Sequence, residues 1–405
     1  MESYLYNFDA LNTYKKALRD FQDSQSPAGH IPSTVPSVRW GYVHEDGSLD
    51  YWDDPWWGGS IFLLADKLYL YTGDAGVLES AFPSLKAYVD FLSSTAEDHI
   101  ISWSLGDWLD LNPDPNSQAS NLTPVAQTST AGYYWMSRKL ADYAQILGYD
   151  KRLSEHYREL ADSIKDKFNR EFLDYETGIY AENSQTAQAL PLALGLVPDE
   201  MEEKVRQRLL DAIDMRNGHI SAGFIGGNFT MDYLPGNGYF DVAYKMLTQP
   251  ESPGWLHMVR SSKSTMSESI NLNGPGSGHH PYGAYIGFWL YKYLGGIRAD
   301  EDKPGFREFI IEPGLGSGLE EACTSYHSLY GEIVSAWKKR GGRITLTIRV
   351  PANSVAELIL PSEMIGGNLR VNNTRIRNIP AISLITAGNG KTHYSVGSGT
   401  YEFRF

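Results

Sequence analysis

The sequence predicts a mainly helical protein with a β domain at its end: an α/α toroid followed by a small antiparallel β-sandwich. Across residues 1–300, apolar side chains recur at steps of three and four, which is the spacing of amphipathic helices. After Pro304 they recur at every second position, as in strands with one buried face. We therefore expect a helical domain over residues 1–302 and a β-sandwich over residues 303–405.

The helical part is predicted from segments that alternate with loops rich in Gly, Pro, Asp and Trp. The clearest segment covers residues 151–172, and its apolar positions are Leu153, Tyr157, Leu160, Ile164, Phe168 and Phe172. A similar stripe near the start of the chain consists of Leu11, Tyr14, Leu18 and Phe21. Further helices are predicted over residues 60–71, 75–94, 131–147, 185–195, 201–215, 238–248 and 282–296.

The β part is predicted from a hairpin and two later strands. Residues 343–350 alternate polar and apolar side chains, and an earlier strand keeps Trp337 on one face. The pair Gly341 and Gly342 lies between these strands and predicts a tight hairpin turn. Further strands are predicted over residues 354–360 and 400–405.

Composition narrows the classes of partner. The chain has 405 residues, with 35 Lys and Arg against 49 Asp and Glu, and a net charge of −14. This charge argues against a nucleic acid or an anionic membrane as partner. The single cysteine, Cys323, excludes an internal disulfide and a Cys-based zinc site. Since the N-terminus lacks a basic leader followed by an apolar run, we expect a cytoplasmic location.

The candidate catalytic groups are carboxylates in loops rich in aromatic residues. Cleavage of a glycosidic bond needs one carboxyl group that protonates the leaving oxygen and one that activates water or attacks the anomeric carbon. A neighbouring indole lowers the local polarity, which raises the pKa of an acid. Each of these carboxylates is equally consistent with a solvated loop or a helix cap, and each indole with core packing. The candidates are Asp53, Asp54, Asp107, Asp110 and Glu268, beside Trp52, Trp56, Trp57, Trp103 and Trp108.

Signatures of other chemistries are absent from the sequence. It contains no P-loop, no dinucleotide-binding glycine motif, no nucleophile elbow and no His-Glu-x-x-His motif. His279 and His280 are adjacent, and neighbouring side chains seldom point at one metal ion. We therefore expect no cofactor and no catalytic metal.

Eleven short segments follow one another along the chain and cross the predicted transition from helices to strands. They are residues 23–32, 71–74, 106–108, 186–189, 252–255, 296–298, 304–307, 311–313, 325–326, 330–333 and 350–353. In this order they together resemble the α-L-rhamnosidases of glycoside hydrolase family 78. The resemblance implies an (α/α)6 barrel with a C-terminal β-sandwich, and inverting hydrolysis of terminal α-L-rhamnosides.

The resemblance also implies residue roles. Residues 264–268, Ser-Thr-Met-Ser-Glu, match the family motif that ends in the general base, so Glu268 inherits that role. In this chain Ser267 stands where the family has a Trp. The matching positions for the sugar pocket are Trp108, Trp255 and His280, with Trp56 and Trp57 as looser matches.

The general acid of the family has no counterpart here. Its motif would lie just upstream of residue 1, so three explanations are open. The chain is a fragment, or it uses Asp53, Asp54 or Asp107 as the acid, or it binds sugar without turnover. A fragment would expose the apolar face of its first helix and favour a homodimer. That face consists of Leu11, Leu18 and Phe21.

A third class of function keeps the toroid and changes the reaction. Polysaccharide lyases of this shape remove a proton beside a uronate carboxylate and need a basic clamp. Arg39, Arg260 and Lys263 are the candidates for such a clamp. The leading prediction is nevertheless a glycosidase that acts on a rhamnosyl glycan or glycoside.

Overall fold

The computed structural model describes residues 1–36, 41, 44, 48–111, 119–261, 265–270, 277–280, 285–316, 318–365 and 369–405. The chain divides into two compact units. The helical unit comprises Asn12–Asp66 and Ala75–Ala284. The β unit comprises Met1–Leu11, Lys67–Asp74 and Tyr285–Phe405.

The helices of the described residues follow the predicted alternation of helix and loop. They are α1 (Glu2–Asn7), α2 (Leu11–Asp23), α3 (Pro55–Gly58), α4 (Ser60–Thr72), α5 (Ala75–Thr95), α6 (Val125–Ile146), α7 (Lys151–Phe172), α8 (Gln185–Leu194), α9 (Glu202–Asp214), α10 (Phe224–Gly236), α11 (Phe240–Leu247), α12 (Trp255–Arg260), α13 (Gly287–Trp289, continued by a π-helical turn at Leu290–Leu294) and α14 (Ser362–Ile365).

Local sequence explains where several of these helices begin and end. Asp150 precedes α7 and accepts a hydrogen bond from the Arg152 N–H at 2.9 Å. Ser184 caps α8 by accepting from the Ala187 N–H at 2.9 Å, and Gly195 ends the helix in the left-handed region with φ 73°.

Helix α10 is absent from the sequence predictions. Its sequence is apolar on most sides and includes Gly226, Gly227 and Pro235, so it shows no polar face and no helical stripe. For α10, tertiary packing thus outweighs local preference. Of the predicted helix over residues 282–296, the described part is helical over residues 287–294, and residues 281–284 lie outside the described part of the chain.

The strands of the described residues form a small hairpin in the helical unit and two sheets in the β unit. They are β1 (Leu173–Asp174), β2 (Ile179–Tyr180), β3 (Ile297–Ala299), β4 (Glu308–Ile311), β5 (Glu321–Ser328), β6 (Gly331–Arg340), β7 (Arg343–Val350), β8 (Val355–Pro361), β9 (Arg370–Val371), β10 (Thr374–Arg375), β11 (Ile382–Gly388), β12 (Lys391–Val396) and β13 (Gly399–Arg404).

One sheet of the β unit has the order β10-β9-β13-β7-β6-β5 and is antiparallel throughout. The other has the order β11-β12-β8-β4-β3, and its β4–β8 pair is parallel, so the predicted all-antiparallel sandwich is mixed at that pair. The predicted hairpin is confirmed: Gly341 and Gly342 both have positive φ, 56° and 76°. Trp337, Leu346 and Phe403 lie on the buried face of the first sheet.

The stripe at the start of α2 is not an exposed surface. Leu18 is 3% exposed and Phe21 is 9% exposed, so both side chains are buried. The apolar face that a truncated toroid was expected to expose is therefore not open at these two positions. Within the described part of the chain, no helix is both long and apolar enough to cross a membrane.

Candidate functional site

Glu268 is held by backbone contacts in a segment of irregular structure. Its N–H donates to the Ser277 carbonyl at 3.0 Å, and the Ser277 N–H donates to Oε2 of Glu268 at 2.7 Å. The Oε1 atom lies 4.0 Å from Nε2 of His280. The Glu268 side chain is 16% exposed. The carboxylate is thus fixed at one oxygen while part of the group still faces solvent.

His280 lies next to this carboxylate and is itself anchored. Its N–H donates to the Met266 carbonyl at 2.9 Å, and its ring contacts Phe224 at 5.4 Å between centroids. Burial lowers the pKa of His280, whereas the charge of Glu268 raises it and that of His279 lowers it. Burial is the largest of these effects, so the neutral imidazole is favoured near pH 7.

Four aromatic side chains continue from His280 and form what we call the aromatic wall: Trp52, Trp57, Trp108 and Phe224. Phe224 stacks on Trp57 with centroids 5.9 Å apart and planes at 9°. Trp52 meets Trp108 edge to face at 5.6 Å. Trp52, Trp57 and Phe224 are partly buried against a cluster that contains Trp108. Glu268, His280 and the wall therefore form one continuous set of contacts.

Two of the predicted sugar-binding indoles lie elsewhere. Trp56 is 5% exposed, its Nε1 donates to the Thr128 carbonyl at 2.8 Å, and it stacks on Trp135. Trp255 is 2% exposed at the start of α12. Because both indoles are enclosed by protein, the geometry gives no support to their predicted contact with a sugar.

Asp54 joins the segment that carries Trp57 to the segment that precedes Trp108. Its Oδ1 accepts from the N–H groups of Trp56 and Trp57 at 2.7 and 3.1 Å, which makes it the N-cap of α3. Its Oδ2 accepts from the Ser104 hydroxyl at 2.7 Å and the Leu105 N–H at 2.9 Å. Asp54 is fully buried, and burial raises its pKa to about 6 against the opposing effect of these donors.

Asp107 plays the same part for α10. Its Oδ1 accepts from the N–H groups of Ile225 and Gly226 at 3.0 and 2.9 Å. Its Oδ2 accepts from the Gly223 N–H at 2.8 Å and from the Thr186 hydroxyl. The carboxylate is fully buried, and burial raises its pKa. It thus caps a helix that begins more than a hundred residues later in the chain.

Asp53 and Asp110 are buried in further polar contacts. Oδ2 of Asp53 lies 2.8 Å from Nε2 of His30, and Oδ1 accepts from the Asp54 N–H at 3.1 Å. Burial raises the pKa of Asp53, and the hydrogen bond to His30 opposes this. Asp110 accepts from the N–H groups of Asn121 and Leu122, and burial raises its pKa to about 6.

These contacts give the predicted loop carboxylates a common feature, which is that backbone donors occupy them. The structure brings Glu268, His280, Trp57 and Trp108 together, and it holds Asp54 and Asp107 in hydrogen bonds to the segments that carry Trp57 and Phe224. Sequence reasoning missed Phe224, because α10 carried no recognisable pattern. The acid role of Asp53, Asp54 and Asp107 stays a prediction.

The described residues give little support to the basic clamp that a lyase requires. Arg260 is exposed at the end of α12, and Arg39 and Lys263 lie outside the described residues, as does Ser264. Within the described part of the chain, no group of three or more His, Cys, Asp or Glu side chains is arranged to hold a metal ion.

The comparisons with known proteins all point to the same family. Residues 1–294 match the bacterial α-L-rhamnosidase six-hairpin glycosidase domain, and residues 296–374 match the bacterial α-L-rhamnosidase C-terminal domain. The chain is 27% identical to an α-L-rhamnosidase of Formosa agariphila, over 99% of this chain and 43% of that protein. It is also 27% identical to one of Streptomyces avermitilis, over 98% and 36%. The chain therefore spans less than half the length of these relatives.

Solved structures agree with the sequence relatives. An α-L-rhamnosidase of Dictyoglomus thermophilum matches with a TM-score of 0.87 and 30% identity, over 100% of this chain and 44% of that one. The S. avermitilis enzyme, solved with L-rhamnose, matches with a TM-score of 0.87 and 25% identity, over 100% and 37%. The predicted fold class, a six-hairpin helical region followed by β-sheets, is confirmed. The chain belongs to the bacterial α-L-rhamnosidase six-hairpin glycosidase family.

Proposed function

We propose that this chain carries the catalytic part of a glycoside hydrolase that removes terminal α-L-rhamnose from a glycan or glycoside, with Glu268 as general base. The observation that carries the proposal is the contact between the Glu268 carboxylate, His280 and the aromatic wall. Family membership and the names of the relatives support the same reaction. The proposal retains residues 1–302 as the catalytic domain, close to the match over 1–294.

In this mechanism Glu268 removes a proton from the water that attacks the anomeric carbon. The Ser277 N–H holds Oε2, so Oε1 is the oxygen that accepts the proton. A neutral His280 can share a hydrogen bond with a sugar hydroxyl without competing as a cation for the carboxylate. The aromatic wall packs against the C–H face of the ring and reduces its freedom to rotate. An inverting reaction places the acid carboxyl about 6.5–9.5 Å from the base.

Asp54 and Asp107 fit this mechanism as positioning residues rather than as the acid. A general acid must carry a proton, and that proton needs a free oxygen from which it can leave. Each of these carboxylates already accepts four hydrogen bonds, two on each oxygen. These donors occupy both oxygens of each carboxylate and oppose the rise in pKa that burial causes, so neither oxygen is left for a glycosidic oxygen.

The test is hydrolysis of p-nitrophenyl α-L-rhamnoside by the full chain and by Glu268→Gln. We expect the variant to retain its fold and to lose about 10²–10⁴-fold in kcat, the usual contribution of a general base. Glu251→Gln, at an exposed position of the same unit, is the matched control and should retain full activity. Full activity of Glu268→Gln would refute the assignment of the base.

A rhamnosyl disaccharide separates the two carboxyl roles. Nitrophenolate leaves with little need of protonation, so the aryl substrate tests the base and the pocket alone. Turnover of both substrates would show that a working acid lies within this chain. Turnover of the aryl substrate alone would show that it does not. Binding of rhamnose with turnover of neither substrate would support the second function, a sugar-binding protein without catalysis.

A further inference from the structure

The outer face of the six-stranded sheet in the β unit carries a groove of about 830 Å³. Its floor consists of small and hydroxyl side chains, including Ala336, Thr345 and Thr347, and Cys323 lies exposed beside them. The charged side chains that line it are Lys338, Arg340, Arg343, Arg404 and Glu321. Cationic groups thus outnumber carboxylates in this groove, in a chain whose net charge is −14.

The strand register explains why these side chains share one face. Lys338 lies opposite Glu321 on one side and Thr345 on the other, and Thr345 lies opposite Arg404. Directly opposite residues in antiparallel strands project to the same side of the sheet. Trp337, the neighbour of Lys338, is 2% exposed on the opposite face. The four cations therefore share one face of three adjacent strands: Arg340 and Arg343 lie on neighbouring strands about 5 Å apart, and Lys338 and Arg404 lie two strands, about 10 Å, apart.

Two like charges face each other at the hairpin end of the groove. Arg340 and Arg343 are directly opposite each other on β6 and β7, and both are exposed. Like charges directly opposite in a sheet repel each other. An anion between the two guanidinium groups would relieve this repulsion.

The other cations of the groove have exchangeable partners. Lys338 pairs with Glu321, and Arg404 pairs with Glu402 at 2.5 Å. All four side chains are more than a third exposed. Exposed ion pairs contribute little to stability and are screened by salt. An incoming anion can therefore replace these partners at low cost.

We propose that this groove binds an acidic polysaccharide through its uronate carboxylates. Arginine is suited to this ligand because its planar fork matches a carboxylate with two parallel hydrogen bonds. The threonine hydroxyls supply partners for sugar hydroxyls. A nucleic acid fits less well, because its phosphates are spaced more closely than the carboxylates of a polyuronate and would be repelled more strongly by the acidic remainder of the chain. This inference rests on the β unit alone and does not depend on hydrolysis at Glu268.

Cys323 provides a direct readout, because it is the single cysteine of the chain and lines the groove. The experiment measures the rate at which N-ethylmaleimide, an uncharged reagent, alkylates Cys323 with and without polygalacturonate. The proteins compared are the full chain, the double variant Arg340→Gln/Arg343→Gln, and the control Arg349→Gln. Arg349 projects from the same face of β7 but pairs with Glu332 outside the groove.

We expect polygalacturonate to slow alkylation of the full chain and of Arg349→Gln at the same concentration. The double variant should need at least about tenfold more polygalacturonate for the same slowing of alkylation, since it lacks two charge-assisted contacts. Neutral pullulan should have no effect. The same thermal unfolding temperature in all three proteins would show that the variants fold.

Two results would overturn the proposal. One is alkylation that polygalacturonate does not slow, or slows equally in the double variant. The other is equal protection by DNA or dextran sulfate at the same charge concentration, which would indicate a surface that attracts any polyanion. Because the readout is a thiol reaction, a chain inactive on p-nitrophenyl α-L-rhamnoside would still test the groove.

Discussion

Replacing Asp107 with Ala should destabilise the helical unit far more than an ordinary cap mutation does. The change leaves three buried N–H groups, those of Gly223, Ile225 and Gly226, and the Thr186 hydroxyl without their acceptor. A buried donor left unsatisfied costs about 1–3 kcal/mol. Removal of a buried charge recovers part of this loss, since burial raises the pKa of Asp107. We therefore expect a net loss of about 4–5 kcal/mol.

Two variants make this magnitude testable. Asp150→Ala removes the exposed cap of α7, where water replaces the lost acceptor, and should cost about 0.5–2 kcal/mol. Asp107→Asn retains one oxygen for Ile225 and Gly226, and the Thr186 hydroxyl can turn to accept from the new amide. It leaves chiefly the Gly223 N–H unsatisfied and should cost about 1–3 kcal/mol.

The assay is urea unfolding followed by tryptophan fluorescence. Eight of the ten tryptophan positions fall within the residue ranges of the helical unit, so the signal reports mainly on that unit. We expect Asp107→Ala to lose the most free energy of unfolding and Asp107→Asn to lose less. Asp150→Ala should lose the same as Asp107→Asn or less. If Asp107→Ala were no more harmful than Asp150→Ala, the positioning role would be refuted and Asp107 would again be a candidate acid.

Three further outcomes follow from the same geometry. Trp57→Ala should weaken rhamnose binding, measured by calorimetry, about tenfold with little loss of stability. Trp56→Ala should instead lower the free energy of unfolding in urea by about 3–5 kcal/mol. If the two variants had the same effect in both assays, the assignment of Trp57 to the aromatic wall and of Trp56 to the core would be contradicted. The folded-state pKa of Asp54, about 6, lies above the usual 3.8, so its contribution to stability is present below pH 4 and is lost as the pH rises through 6. The free energy of unfolding of the unmodified chain minus that of Asp54→Asn, measured in urea, should thus fall by up to about 3 kcal/mol between pH 4 and 7. A difference that stays constant or rises over this range would disprove the raised pKa of Asp54. Glu268→Gln should lower the pKa of His280 further, because the charge of Glu268 raises the pKa of His280 in the unmodified chain. An NMR titration in which the variant has the same or a higher His280 pKa would count against the contact between Glu268 and His280.

Local patterns were sufficient to predict much of the secondary structure. The stripe of residues 151–172 coincides with α7, because an amphipathic helix records its buried face in its own spacing. The hairpin at Gly341 and Gly342 was predictable for a similar reason, since two successive positive φ angles require a particular residue type. Even the cap at Asp54 has a local signature, because Pro55 follows it at the first helical position.

The sequence by itself also determined which side chains are available for chemistry: carboxylates beside indoles, Glu268 at the position that matches the family's base, and one cysteine. Only the tertiary structure decided how those groups are used. Asp107 finds its partners 79 to 119 residues away, and the second oxygen of Asp54 binds Ser104 and Leu105 fifty residues on. No local pattern encodes such a pairing, because a buried carboxylate takes whichever donors the packed helices bring to it. Packing thus made these two aspartates supports of the aromatic wall and left Glu268 partly open to solvent.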